Sequence, residues 1–225
     1  MPHHHAQSVN QQDKSLSTKG STIHWARFYD LAVNLLALGT EKRLRELTVA
    51  QAQIQPGDDV LDVGCGTGNL TLLVKKAAGP TGAVYGIDAA PEMIEVAASK
   101  AREAGVDVDF SHGVVEKLEF PDDRFDLILS SLMVHHLPGD DLKSNAFDEM
   151  YRVLKPGANL LIIDFAPPKN RFLRWLLKPI LKGMLAYDIR SNVPLLEKVG
   201  FTKIESGSTG HRLASFISAR KVQVY

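Results

Sequence analysis

The sequence is short of cysteine, with one residue, Cys65, in 225. A single thiol cannot form an intrachain disulfide, so the fold must rest on packing rather than covalent staples. An excess of one charge is missing too: 26 Lys and Arg balance 26 Asp and Glu, a formal net charge of zero. No global positive field draws in a phosphate backbone, which disfavours DNA or RNA as a partner. No apolar run is long enough to span a bilayer, and the N-terminus lacks the apolar centre of a secretory signal, so a cytoplasmic location is expected. His3-His4-His5 has no second ligand cluster to work with, so no functional metal site is expected. What remains is 44% hydrophobic. At this length that suits one globular domain with a full core, and no internal repeat is visible.

The chain is organised around residues 60–70, Val-Leu-Asp-Val-Gly-Cys-Gly-Thr-Gly-Asn-Leu. Pro56-Gly57-Asp58-Asp59 precedes it as a turn. Val60, Leu61 and Val63 read as a short buried strand, three glycines follow at alternate positions, and 70–78 reads as a helix. Strand, glycine-rich turn and helix open a nucleotide-binding βαβ unit, in which glycines let backbone approach a ligand closely. Gly64, Gly66 and Gly68 give G-x-G-x-G rather than the dinucleotide G-x-G-x-x-G, which counts against a nicotinamide cofactor. The stretch resembles motif I of the class I S-adenosylmethionine-dependent methyltransferases. Their cofactor has no pyrophosphate, and its cationic sulfonium suits an acid, Asp62, beside the loop. The next strand, 82–88, ends in Asp88, and an acid at the tip of strand two can accept two hydrogen bonds from ribose hydroxyls. Cys65 sits in the loop and is expected only to pack there.

Before the glycine loop, 23–38 reads as a helix with Trp25, Phe28, Tyr29, Leu31, Leu35 and Leu36 apolar, and 41–52 as a second, with Thr40 as N-cap. After the loop, Pro91 fits the first position of a helix over 91–104 that Gly105 closes. Residues 106–111 read as strand three and 124–130 as strand four. A helix follows over 139–152, its Asp140 and Asp141 favourable against the dipole. Lys155-Pro156-Gly157 reads as a turn into strand five, 159–163, which ends at Asp164. Residues 192–199 form a helix closed by Gly200, and 201–205 and 213–222 a final hairpin around a turn at 207–210. Between them, 170–190 is amphipathic, with Trp175 on an apolar side and Arg171, Arg174, Lys178 and Lys182 on a shared face. Such a helix is a lid over a greasy pocket, a peripheral membrane contact through 171–185, or a surface helix packed by its apolar face.

The run Arg152-Val153-Leu154-Lys155-Pro156-Gly157 before an apolar strand is frequent in the same methyltransferases. Trp25-Ala26-Arg27-Phe28-Tyr29-Asp30 resembles the N-terminal lid of the ubiquinone/menaquinone biosynthesis C-methyltransferases within the broad type 11 family. The resemblance implies an α/β fold: a doubly wound, seven-stranded, mostly parallel Rossmann-like sheet of order 3-2-1-4-5-7-6 with an N-terminal helical lid. The expected organisation is a disordered tail over 1–20, then a single domain over 21–225. Within it, 21–55 forms the lid, 56–225 the cofactor-binding core and 165–190 a substrate-covering insert.

Ligands of such a sheet sit beyond the carboxyl ends of its strands. Asp62, Gly64, Cys65, Gly66, Gly68, Asp88 and Ala89 are therefore candidates to hold S-adenosylmethionine, and Ser130 offers backbone to its amino-acid end. Relatives place an apolar contact on the adenine at Met93. Relatives also carry Gly-Asp-Ala-Glu where this chain has Gly113-Val114-Val115-Glu116, and their Asp bonds the adenine amino group. Here that position is Val114, and the contact passes to backbone around Gly113, Val114 and Val115. His135, His136, Asp164 and Tyr29 are the candidates on the acceptor side. Histidine suits a general base near neutral pH for a phenol or enol acceptor. His135-His136 can equally shape the loop, Asp164 cap a helix, and Tyr29 pack in one. The resemblance thus implies methyl transfer to a small, lipophilic, quinol- or phenol-like acceptor. Rivals are a phospholipid N-methyltransferase at a membrane surface and a cofactor-binding scaffold or sensor without turnover. The N/D-P-P-Y/F signature of amino-methylating nucleic-acid enzymes is absent.

Overall fold

The computed structural model describes residue 20 and residues 41–167, 187–211 and 213–223. The expected helix at 23–38 with Tyr29, residues 1–19 of the expected N-terminal tail, and the basic stretch 171–185 lie outside the described residues. The described elements are α1 (Glu41–Ala52), β1 (Val60–Val63), α2 (Asn69–Ala78), β2 (Val84–Asp88), α3 (Pro91–Ala104), β3 (Asp109–His112), β4 (Phe125–Ser131), α4 (Gly139–Val153), β5 (Leu154–Phe165), α5 (Val193–Val199), β6 (Thr202–Ser208) and β7 (Ala214–Arg220). Short 3-10 turns at Val134–His136 and Ile189–Asn192 precede α4 and α5.

The seven strands pair in the order β3-β2-β1-β4-β5-β7-β6, as the motif resemblance implies. The first five in that order are parallel, and β7 runs antiparallel to both its neighbours. β1 shows why the sheet is central: Val60, Leu61 and Val63 are each at most 1% exposed. Alternation sends Leu61 and Val63 to the face covered by α4 and α5, with Ile128, Phe147, Met150 and Leu196. Val60 falls on the other face with Leu44 of α1 and Leu70 and Val74 of α2. Asp62 shares the face of Val60, so a carboxyl stands where the pattern would place a core aliphatic. Truncating Leu61 to Ala would open a cavity on the first face at a cost of about 2–5 kcal/mol.

Three boundaries differ by three residues or more from those read in the sequence. Strand three starts at Asp109, not 106, because Val106 N–H turns back to the Ala101 carbonyl (2.9 Å) after Gly105 enters the left-handed region. β5 starts at Leu154 and runs through the Lys155-Pro156-Gly157 turn. Phe125 pairs with Leu154 and Leu127 with Asn159, so the intervening residues of β5 bulge out between two ladder positions. β6 continues to Ser208 because Gly207 pairs with Phe216 and leaves room for its ring, within 3.0 Å of where a Cβ would stand.

Candidate cofactor and acceptor site

The loop after β1 turns three times through positive φ, at Gly64, Gly66 and Gly68. Gly64 packs so closely that an added Cβ would stand 2.3 Å from Met133 Cγ. Gly66 faces the opposite situation: a Cβ there would meet nothing within 4 Å. The loop therefore presents bare backbone to a crevice at the carboxyl ends of β1, β2 and β4.

Asp88 holds this loop. Its Oδ2 accepts from Gly66 N–H (2.9 Å) and its Oδ1 from Ala90 N–H (2.9 Å), which ties the glycine turn to the start of α3. Each oxygen keeps a further lone pair for a ligand. Burial raises the Asp88 pKa above its ordinary value, against the pull of the Ala90 and Gly66 N–H groups, of His112 and of the Ala89 N–H. Asp62 lines the same crevice from the β1 side and is 1% exposed. Thr71 donates its hydroxyl to Asp62 Oδ2 at 2.6 Å. Burial nevertheless pushes the Asp62 pKa up to about 7, with the nearby Asp88 charge adding to the rise.

Cys65 is buried in the loop, with Sγ 3.2 Å from where a Cβ on Gly86 would stand. Burial, then the Asp62 and Asp88 charges, hold its thiol well above the ordinary range, so it stays protonated and packs. On the β2 side, Ala89, Met93, Gly113 and Val115 line the crevice, and so does Glu116. Val114 is not among the lining residues: its side chain is buried, and its carbonyl accepts Lys117 N–H at 3.2 Å. The Gly-x-x-Glu spacing of the relatives' motif is the signal that points to Glu116. Ser131, Leu132 and Met133 line the β4 side, whereas the hydroxyl of Ser130 is buried with no hydrogen-bond partner among the described residues. Leu132 takes φ 55, a costly conformation for a branched side chain, and its N–H reaches the Ile163 carbonyl at 2.8 Å.

The acceptor-side candidates separate into a facing group and a supporting pair. His136 lines the crevice. Asp164 is fully buried at the end of β5 and accepts His135 N–H (3.0 Å), Phe165 N–H (2.7 Å) and His135 Nδ1 (2.8 Å). Its carboxylate is used inside the protein, capping the 3-10 turn. That fixes Nδ1 of His135 as the protonated nitrogen. The two imidazoles stack with centroids 4.0 Å apart. Burial, then the charge of His135, lower the His136 pKa below 6.5, outweighing Asp164. Tyr187 stands beside His135, 6.2 Å between rings, with its hydroxyl bonded to Asn192.

Two supports were not legible as such. Glu41, Leu44 and Arg45 of α1 line the crevice. Arg152 of α4 binds Glu149, Asp122 and the carbonyls of Leu118 and Phe120, and Glu149 in turn accepts Leu118 N–H at 2.7 Å. That clamp holds the 113–123 loop against the core. Among the described residues there is no group of His, Cys, Asp or Glu that could hold a metal, and no helix long and apolar enough to cross a membrane.

A family model described as a methyltransferase domain matches residues 60–157. The ubiquinone/menaquinone biosynthesis C-methyltransferase UbiE of Burkholderia mallei is 34% identical over 160 residues, which are 71% of this chain and 65% of that protein. The chain thus spans just under two thirds of that relative's length. A SAM-dependent methyltransferase from Aquifex aeolicus is 25% identical with a TM-score of 0.69, covering 89% of this chain and 100% of that one. A phosphoethanolamine N-methyltransferase 2 of Haemonchus contortus, in complex with phosphomonomethylethanolamine and S-adenosylhomocysteine, shares the fold alone. Its TM-score is 0.63 at 17% identity, over 82% of this chain and 53% of that one. Sheet order, loop geometry and these similarities agree: residues 60–157 match a methyltransferase domain, and the chain is similar to S-adenosylmethionine-dependent methyltransferases in sequence and in fold.

Proposed function

We propose that the protein binds S-adenosylmethionine in the crevice and transfers its methyl group to a small quinol- or phenol-like acceptor, at ring carbon. The observation that carries the cofactor assignment is the Gly66 backbone, bare toward the crevice and fastened to Asp88. A nucleoside can approach that edge without meeting a side chain, and Asp88 keeps lone pairs for ribose hydroxyls. The ligand's cationic character suits the carboxyl of Asp62, whose burial cost falls when a positive charge arrives. Met93 and Val115 offer apolar surface to the base.

The bound cofactor supplies a methyl carbon already activated by its sulfonium. The protein's own work is to align the acceptor and accept a proton. His136 suits the proton-accepting role, because its lowered pKa keeps it neutral at pH 7, at the crevice, beside the apolar Met133 and Leu137. Asp164 and His135 act behind it as positioning residues. Likeness to the Burkholderia C-methyltransferase supports carbon rather than nitrogen as the methylated atom. Incubation with methyl-labelled S-adenosylmethionine and separate panels of quinols, phenols and aminoethyl phosphates tests the reading by mass spectrometry. A labelled quinol or phenol is expected. Label only on the amines would refute the acceptor class, and no binding of S-adenosylhomocysteine would refute the cofactor.

A further inference from the structure

The glycine loop and the turn that carries His136 meet at one side chain. Gly64 leaves a notch where another residue would carry a Cβ, and Met133 fills it. A Cβ on Gly64 would stand 2.7 Å from Met133 Cβ and closer still to its Cγ. The floor of the notch is fixed to β2, because Gly64 and Cys65 both donate their N–H groups to the Ile87 carbonyl at 2.9 Å. Met133 reaches the notch because the chain turns sharply just before it. Leu132 takes φ 55 while its N–H bonds the Ile163 carbonyl at 2.8 Å, one residue past the last ladder pair of β4 with β5. Backbone of that kind costs free energy in a branched residue and persists only where its surroundings impose it.

The same residue holds His136 from its other side. Met133 is the N-cap of the 3-10 turn Val134–His136, and its carbonyl accepts His136 N–H at 2.9 Å. Behind, the turn is anchored to the core. Val134 is fully buried, and Asp164 at the end of β5 accepts His135 N–H at 3.0 Å. In front, Gly64, Met133 and His136 all line the crevice. A loop residue in van der Waals contact with Met133 Cγ is therefore one side chain and one hydrogen bond away from the imidazole. Close-packed contacts of this kind pass on a displacement instead of absorbing it.

We infer that Met133 is a positioning residue that couples the cofactor loop to His136: a ligand seated on the loop sets the imidazole through the contact of Gly64 with Met133. The coupling rests on the cofactor and proton-acceptor readings above. Occupancy of the loop and placement of the base then favour each other, since coupling between two sites is reciprocal. Leucine carries a Cγ at the same reach and can fill the notch, whereas alanine leaves the place of that Cγ empty.

The test follows the His136 ring by NMR in the full chain carrying isotope-labelled histidine, at one fixed pH, with and without saturating S-adenosylhomocysteine. The signal is identified by its loss in His136→Ala, and calorimetry with the same ligand establishes occupancy. In the parent, the ligand is expected to shift the His136 signal. Met133→Ala is expected to lose more than about half of that shift while binding S-adenosylhomocysteine within about threefold of the parent, and Met133→Leu to keep the shift. Gly64→Ala, which presses on Met133 from the loop side, is expected to move the signal without ligand. A full shift in Met133→Ala would mean that the ligand acts on His136 without Met133 and overturns the coupling, as does binding to the parent with no shift at all. If the parent does not bind S-adenosylhomocysteine, the cofactor assignment fails, a result that calorimetry alone reveals.

Discussion

Asp62→Asn separates the stability of this protein from its function. In the folded chain the Asp62 pKa stands at about 7 rather than its ordinary 3.8, chiefly because burial penalises the charge. At about 1.4 kcal/mol per pH unit, that difference amounts to about 4 kcal/mol. The direction follows from proton binding. Below pH 3.8 the carboxyl is protonated whether the chain is folded or not, and the penalty is absent. As pH rises from 3.8 to about 7, the unfolded chain gives up the proton and the folded chain retains it, so stability falls. Above about 7 the full penalty stands. Asn cannot ionise, and its carbonyl can still accept the Thr71 hydroxyl now 2.6 Å from Asp62. The variant without ligand should therefore match the parent near pH 4 and exceed it at pH 8 by about 2–4 kcal/mol. That raises Tm by roughly 4–16 °C for a domain of this size. S-Adenosylhomocysteine binding should weaken at the same time, because the crevice loses an anion. Denaturant unfolding of both proteins across pH 4–8, with a parallel calorimetric titration, reads both effects. Parallel stability curves, or a variant less stable at pH 8, would show that Asp62 is not carried as a strained acid.

The other expectations are narrower. Gly66→Ala should cost about 1–2 kcal/mol for its φ alone, whereas Gly64→Ala must also displace Met133 and should lower the thermal midpoint further. His136→Ala should reduce kcat by about a hundredfold or more while S-adenosylhomocysteine still binds. In the parent, kcat/KM should rise with pH to a plateau through an apparent pKa below 6.5, since the base must be neutral. An apparent pKa above 7 would remove His136 from that role. Arg152→Ala should destabilise the protein by about 2 kcal/mol and weaken S-adenosylhomocysteine, because the 113–123 loop loses its clamp to Glu149 and Asp122. Unfolding and binding measured on the same variant check both halves.

Much of the site was legible because its signals are local. Gly64, Gly66 and Gly68 need their conformations for reasons carried within one turn, and Asp62 and Asp88 sit at strand tips that hydrophobic alternation locates. The same alternation places the Asp62 carboxyl inward, although its packing against Thr71 does not show in a pattern of types. The strand order was legible through the resemblance rather than through periodicity, which cannot tell β7 between β5 and β6 from β7 at the edge.

What escaped was contact between segments far apart in sequence. Asp164 read as an acceptor-facing acid because it ends a strand at the crevice. The structure gives its oxygens to His135 and Phe165, and only a backbone path that brings the 3-10 turn to the tip of β5 reveals this. Val114 read as part of a backbone contact to the adenine, in place of the relatives' Asp. Its side chain turns inward, and the crevice is lined on either side of it by Gly113 and Val115. Glu41 and Arg45 form an i,i+4 pair of opposite charges, which on most helices is an ordinary charged face. The packing of Leu44 between them decides otherwise, because it lays that face over the crevice instead of toward water. A charged pair on an added helix thus acquires its meaning from the apolar residue that docks the helix, and the hydrophobic pattern of α1 bears on function as directly as its charges do.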